Sequence, residues 1–326
     1  MAANVESMFY VGEVPWHGQG IGVKNCPTSK EAIELAGLDW KVEPKPIFDQ
    51  HGNEIHGYKV NVRSSDGKPL GVVSDKYKVV QNEEAFAFTD ELLGEGVQYE
   101  SAGSLASGKR VWLLARLEGT TLAEEKIDPY LVFTNTHDGT GAIKVAVSPI
   151  RVVCQNTLNL ALKKASRHWS CMHKGDIASK LEEARFTLSN TQSYLDELEK
   201  EFGSLKLKTV TDNQVKAMTE ILLQAEFTDL YNKATANVID LAGRTNRDKY
   251  KEKLDRKRTD ILNLYQYKSD LVGTERSAFR FVNAVSDYAT HTTDHRNTKN
   301  YQENLFMKTI DGNSLIDTAY KIALAA

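Results

Sequence analysis

Four stretches of β-forming residues follow one another between Val97 and Ile150: Val97–Leu105, Arg110–Leu117, Tyr130–Thr136 and Ala142–Ile150, the last after a turn at Asp138–Gly141 (DGTG). Runs of this kind, separated by turn residues, read as strands of an antiparallel meander. A meander needs a layer to cover one face, and the sequence supplies one immediately afterwards. Ser148–Trp169 (SPIRVVCQNTLNLALKKASRHW) passes from a short apolar run ending in Arg151 into a helical pattern. Val153, Leu158, Ala161, Leu162 and Ala165 stand near the spacing of a single buried face.

The segments upstream extend the same pattern. Trp40–Phe48, His56–Arg63 and Leu70–Val80 read as consecutive hairpin strands, split by turns at Asp49–Asn53 and Ser64–Lys68. Asn82–Leu93 reads as a helix with Asn82 as N-cap and two glutamates behind it, ended by Gly94 and Gly96. Thr28–Ala36 reads as a short helix capped by Thr28 or Ser29, inside an otherwise irregular lead-in. Beyond Asp176 the chain is almost all helical: Ile177–Phe202, Asp212–Asn232, Gly243–Tyr267, Thr274–Tyr288 and Leu315–Ala325. The expected fold class is α+β, an antiparallel hairpin and meander sheet packed on a long helix, followed by a mostly helical C-terminal region. The expected divisions are residues 1–69 as lead-in with the first strands, 70–185 as the α+β core, and 186–326 as the helical part.

Charge matters because it bounds the partners. The formal net charge is −3, so attraction for nucleic acid must come from a local patch. Arg151–Arg185 holds seven Lys/Arg against three Asp/Glu, and Arg244–Arg258 holds eight against three. In the second stretch acids interleave at helical spacing, as on a solvated helix face. The first is less interleaved and contains Trp169 beside Lys163, Lys164 and Arg167. Taken alone it is most simply a helix with a solvated basic end, since cations are favoured at a helix C-terminus. Cations mixed with an aromatic are also what a sequence-tolerant single-strand groove needs.

Catalytic patterns are weak. Cys154 with His137 and Asp138 or Asn156 matches no local nucleophile signature, and a buried small hydrophobe is the better role for Cys154. His168, Cys171 and His173 lack the paired spacing of a zinc site. His291 and His295 have no Glu between them of the metalloprotease kind. Gly18–Gly22 does not end in Lys-Ser/Thr, so it is no ATPase phosphate loop. The expectation is a protein with no catalytic residues, metal or cofactor, not an enzyme. Cys26, Cys154 and Cys171, odd in number and irregularly spaced, point to a reducing compartment. The start lacks a secretory pattern and no apolar run approaches a membrane span, so the expected location is cytoplasmic, with no membrane partner.

Four motifs carry a resemblance: MFYVGEVPWHG at 8–18, THDGTG at 136–141, RVVCQNTL at 151–158 and GTERSAFRFVNAVSDYATH at 273–291. Together they resemble a phage- and plasmid-borne family of unknown function. Residues 70–169 resemble, more distantly, the annealing core of the single-strand annealing proteins of eukaryotic recombination mediators and their phage relatives. There a hairpin leads into a helix, three strands follow, and a long helix completes the unit. The corresponding run here is Tyr77-Lys78-Val79-Val80-Gln81-Asn82 followed by Phe86 and Phe88, and Leu162-Lys163-Lys164-Ala165-Ser166-Arg167 fits the long helix position by position.

That resemblance implies a groove around an oligomeric ring or filament, with single-stranded DNA in it and its bases exposed for pairing. Carried over, Lys78, Lys163, Lys164 and Arg167 contact phosphates, and Phe88 sits near a sugar or base. Arg151 and Trp169 complete the expected DNA-binding set. The implied partners are single-stranded DNA, further copies of the chain, and a phage exonuclease or host single-strand-binding protein, in the cytoplasm of a bacterial host. Annealing needs no ATP and no nucleophile. A reading from another class is a phage interaction module that binds or inhibits a host or defence protein, motivated by the long C-terminal helices and near-neutral charge.

Overall fold

The computed structural model describes residues 5–12, 20–24, 28–93, 98–117, 120–122, 125–151, 168–188, 191–233, 246–268, 276–289 and 313–326. The expected meander is present. Strands β6 (Gln98–Leu105), β7 (Arg110–Arg116), β9 (Glu125–Thr136) and β10 (Ile143–Arg151) are antiparallel neighbours in that order. The short strand β8 (Thr120–Leu122) folds back on the start of β9.

Three strands extend the sheet beyond the sequence expectation. At one side β1 (Val5–Val11), from the stretch read as irregular, pairs antiparallel with β6 and parallel with β2 (Ile21–Val23), which makes the sheet mixed. At the other, β11 (His168–Cys171) pairs with β10. The expected single helix over Ser148–Trp169 is therefore corrected at both ends. Ser148–Arg151 belongs to β10 and His168–Trp169 to β11, and residues 152–167 lie outside the described residues.

Register explains why the sheet holds. Phe9, Ala102, Leu113, Phe133, Val145 and Trp169 stand opposite one another across six strands. All but Trp169 are buried, and Trp169 is partly buried against the same cluster. The parallel row Tyr99, Ala115, Leu131 and Val147 is buried as well. Because side chains alternate faces, a slip of one residue would turn both rows out of the core. Burial of a Leu113 or Phe133 side chain contributes about 1.5–3 kcal/mol.

The covering layer is made by α1 (Ser29–Leu35) and α2 (Asn82–Leu93). Thr28 and Glu31 form a reciprocal capping box at the start of α1, as the sequence indicates. At α2 the capping position is Gln81, whose amide is met by Glu84 Oε2 at 2.6 Å and whose carbonyl accepts from Ala85 at 3.2 Å. Asn82 is not the cap. It is buried, and its Nδ2 donates to Leu38 O at 3.0 Å.

A second, three-stranded antiparallel sheet runs β3 (Val42–Phe48), β4 (Glu54–Arg63), β5 (Pro69–Ser74). The first of its turns is fixed by Asp49, whose Oδ1 accepts from the amides of His51 and Asn53. The expected strand Leu70–Val80 stops at Ser74, and residues 75–80 are an irregular loop leading to α2. Arg63 ties this sheet to β1, with a forked contact to Glu6 (2.7 and 2.9 Å) and bonds to Asp66, while its guanidinium lies 5.5 Å from the Trp40 ring centre.

The C-terminal part is helical as expected: α3 (Ile177–Leu188), α4 (Thr191–Leu207), α5 (Asp212–Lys233), α6 (Asn246–Tyr267), α7 (Ala278–Asp287) and α8 (Ser314–Ala325). The expected helix Ile177–Phe202 is two helices, α3 and α4. Every residue of α7 is buried, with Ser277 as its N-cap, so it is the axial helix against which α4, α6 and α8 pack. Its Phe279 and Phe281 belong to the same apolar cluster as the sheet rows.

Candidate nucleic-acid interface

The loop between β5 and α2 alternates inward and outward residues, Lys76-Tyr77-Lys78. Tyr77 points in. Its ring stacks on His173 at 4.5 Å and 15°, and its hydroxyl donates to the Thr136 carbonyl. Burial pushes the Tyr77 phenol well above its ordinary range, so the hydroxyl stays a donor. Lys76 and Lys78, on either side, are exposed.

The loop is clasped to the chain just after β11. Lys78 N donates to His173 O at 2.9 Å, and His173 Nδ1 returns a bond to Lys78 O at 2.9 Å. Lys59 Nζ adds a bond to Tyr77 O at 3.1 Å. Lys174, next to the clasp, is exposed, and Lys180 Nζ donates to its carbonyl at 2.6 Å. Two segments almost a hundred residues apart are thus joined, and the exposed Lys76, Lys78 and Lys174 lie within two residues of the clasp. The acids of these segments are Asp75 and Asp176. Asp176 is engaged at the start of α3 by Ser179 Oγ at 2.6 Å.

The two buried histidines of this region are not cations at neutral pH. His137 lies edge-on to Trp40 at 5.4 Å, and its Nε2 is 3.2 Å from Asn82 Oδ1. Asn82 spends its amide hydrogens on Leu38 O, so the His137 proton is assigned to Nε2. Burial, with a smaller contribution from His173, pulls its pKa down to about 3. His173 is lowered by burial too, against the opposing bond to Lys78 O. Its Nδ1 faces a carbonyl and so carries the proton. His137 Nδ1 and His173 Nε2 are then bare acceptors, and both are buried without a hydrogen-bond partner. Asn61 Oδ1, Asn135 Oδ1 and Thr136 Oγ1 share that condition.

Among the described residues no group of three or more His, Cys, Asp or Glu is placed to hold a metal. His168 is exposed, Cys171 half-buried, and His173 buried under Tyr77. No helix among the described residues is long and apolar enough to cross a membrane.

The sequence-predicted residues fall into three groups. Lys78 is exposed, at the clasp. Phe88 needs correction. Phe88 is 3% exposed, with its ring 5.9 Å from Phe133 and the Arg185 guanidinium 5.9 Å from its centre. It is a core residue on the sheet-facing side of α2 and touches no open surface. Trp169 ends the buried cross-strand row and is partly buried against the core. Arg151 closes β10 opposite Ile127, with its side chain outside the described residues, where Lys163, Lys164, Arg167, Cys154 and Asn156 also lie. Lys76 and Lys174 were missed. The Lys-Tyr-Lys alternation marks the first of them; nothing local marks Lys174, because its neighbourhood is made by a long-range contact.

Residues 69–309 match a protein family described as a domain of unknown function, DUF932. No curated protein and no solved structure matches the chain.

Proposed function

The chain belongs to the DUF932 family, and we propose that it is a single-strand annealing protein that binds single-stranded DNA through a basic surface and pairs complementary strands without nucleotide hydrolysis. The observation that carries this reading is the clasp of Lys78 on His173. It sets the exposed Lys76 and Lys78 beside Lys174, a few residues downstream of the basic run Lys163, Lys164 and Arg167. Phosphate neutralisation by such cations carries no sequence preference, which suits a protein acting on any strand. A single copy with a handful of cations binds weakly. Assembly into a ring or filament multiplies the contacts along one strand. In this reading the protein works in the cytoplasm of a bacterial host, with a phage exonuclease or host single-strand-binding protein as a natural partner.

Polarisation of a labelled oligonucleotide across a salt series tests it. The expected result is salt-sensitive binding whose log–log slope falls by about 0.7 for each phosphate contact removed. The variants are Lys78→Ala and Lys163→Ala/Lys164→Ala/Arg167→Ala. Wild-type protein that binds no oligonucleotide at low salt, or variants that bind as tightly as wild type, would refute it. One observation favours the interaction-module reading: Phe48 and Ile55 are exposed near the tip of the β3–β4 hairpin. Stoichiometric recovery of one host protein with no nucleic acid retained would favour that reading instead.

A further inference from the structure

A surface that holds single strands needs an aromatic face open to solvent as well as cations. With Phe88 in the core and Trp169 partly buried against it, a more open aromatic face has to come from elsewhere. Among the described residues the strongly exposed aromatics are Phe48, Tyr58, Phe186 and Tyr267. Phe186 and Tyr267 stand on α3 and α6, and Phe48 pairs with Glu54 at the far end of the hairpin.

Tyr58 differs from them in its setting. It is 56% exposed and stands opposite Ser74, the last residue of β5, from which the chain runs directly into Asp75 and Lys76. Three bonds hold this junction: Asp75 N to Gly57 O at 3.0 Å, Tyr77 N to Ser74 O at 3.0 Å, and Lys59 Nζ to Tyr77 O at 3.1 Å. The residues flanking Tyr58 are therefore bonded to the same loop that carries Lys76 and Lys78. Tyr58 thus stands on the strand position next to the turn that carries Lys76, with its ring on the face of the sheet opposite the Lys59 side chain. On the same face as Tyr58 stands Val72, opposite Val60 and also exposed.

We propose that Tyr58 is the base-stacking residue of the nucleic-acid site and that Lys76, Lys78 and Lys174 hold the phosphates on either side of the stacked base. The small three-stranded sheet is then part of the binding surface. This inference rests on the single-strand reading above and adds its own residues to it.

The test uses the full chain and a fluorescein-labelled oligo-dT, with binding followed by polarisation across a salt series. Base–aromatic stacking contributes about 1–3 kcal/mol per base, so Tyr58→Ala is expected to weaken binding about 5- to 150-fold with the salt slope unchanged. Tyr58→Phe should retain most of the affinity. The double variant Lys76→Ala/Lys174→Ala should instead lower the slope by about 1.4. Tyr267→Ala, removing a still more open aromatic on α6, should bind as wild type. If wild-type protein binds in a salt-dependent way while both Tyr58→Ala and Lys76→Ala/Lys174→Ala match it, this inference is overturned and the single-strand reading stands. If wild-type protein shows no salt-dependent binding, both fall together.

Discussion

Acid should weaken this fold in a pH range where its carboxylates are still silent, and His137 is the reason. The imidazole is fully buried between Trp40 and Asn82, and its pKa is held at about 3, against 6.5 for a free histidine. Between those values the unfolded chain takes up a proton that the folded chain refuses. The unfolded state therefore binds more protons, and stability falls as pH falls from 6.5 towards 3. Each unit in that window costs about 1.4 kcal/mol, so pH 4.5 removes roughly 2.7 kcal/mol relative to pH 7. His173, also lowered by burial, acts in the same direction. The depressed carboxylates act lower down: Glu6, held below its usual value by the bond to Arg63, and Asp66, held at about 2 by Arg63, lose their contribution only below their unfolded values of 4.5 and 3.8. Urea unfolding of wild type and His137→Gln at half-unit steps from pH 7 to 4.5 separates the two effects. Wild type should lose stability steadily, and the variant, less stable at pH 7, should show a clearly shallower slope. Equal slopes in the two proteins, or a wild type that gains stability on acidification, would refute the reasoning.

Phe88→Ala should cost about 3–5 kcal/mol in a denaturant melt, as for a large core aromatic, while the folded fraction binds oligonucleotide with wild-type affinity. A Phe88 that touched nucleic acid would give the opposite pattern. Arg63→Ala removes the link between β1 and the small sheet and leaves Glu6 and Asp66 facing each other. Both acids are partly open to water and Lys68 still stands 3.7 Å from Glu6, so the loss should be below that of a fully buried pair, and Tm should drop at pH 7.

The elements that could be read in the sequence are those specified by neighbours in the chain. Thr28 and Glu31 announce α1 because a capping box is a three-residue code, and β6, β7, β9 and β10 are legible because turns punctuate them. The strand β1 is not legible in that way, since its pairing with β6 joins residues about a hundred positions apart. Nor is β11: four residues, His168–Cys171, have too little alternation to declare a strand, and only the β10 ladder makes them one. The same limit decided the site. Lys78 could be picked out from its own loop, whereas Lys174 became part of it through His173. Phe88 was misassigned because α2 buries Phe86 and Phe88 alike, one ring meeting Tyr99 and the other Phe133. An aromatic two residues along a helix carries no mark of which side stays open.

The outer strand of the small sheet carries a consequence for the ring or filament proposed above. Pro44 and Pro46 stand at alternate positions of β3, opposite Asn61 and Lys59, and among the described residues β3 has no neighbour on its other side. A proline nitrogen bears no hydrogen, so this border lacks two of the donors that an incoming strand would need. Growth of a filament or ring by continuing the sheet from one subunit into the next is thereby blocked at β3, even though the face beside it, with Tyr58 and Val72, lies open. A strand arriving alongside β3 meets these missing donors, whereas a ligand lying across the strands does not need them. In the proposed assembly, subunit contacts do not run by strand addition at the β3 border, and the ligand proposed for the face with Tyr58 and Val72 needs no amide ladder of its own.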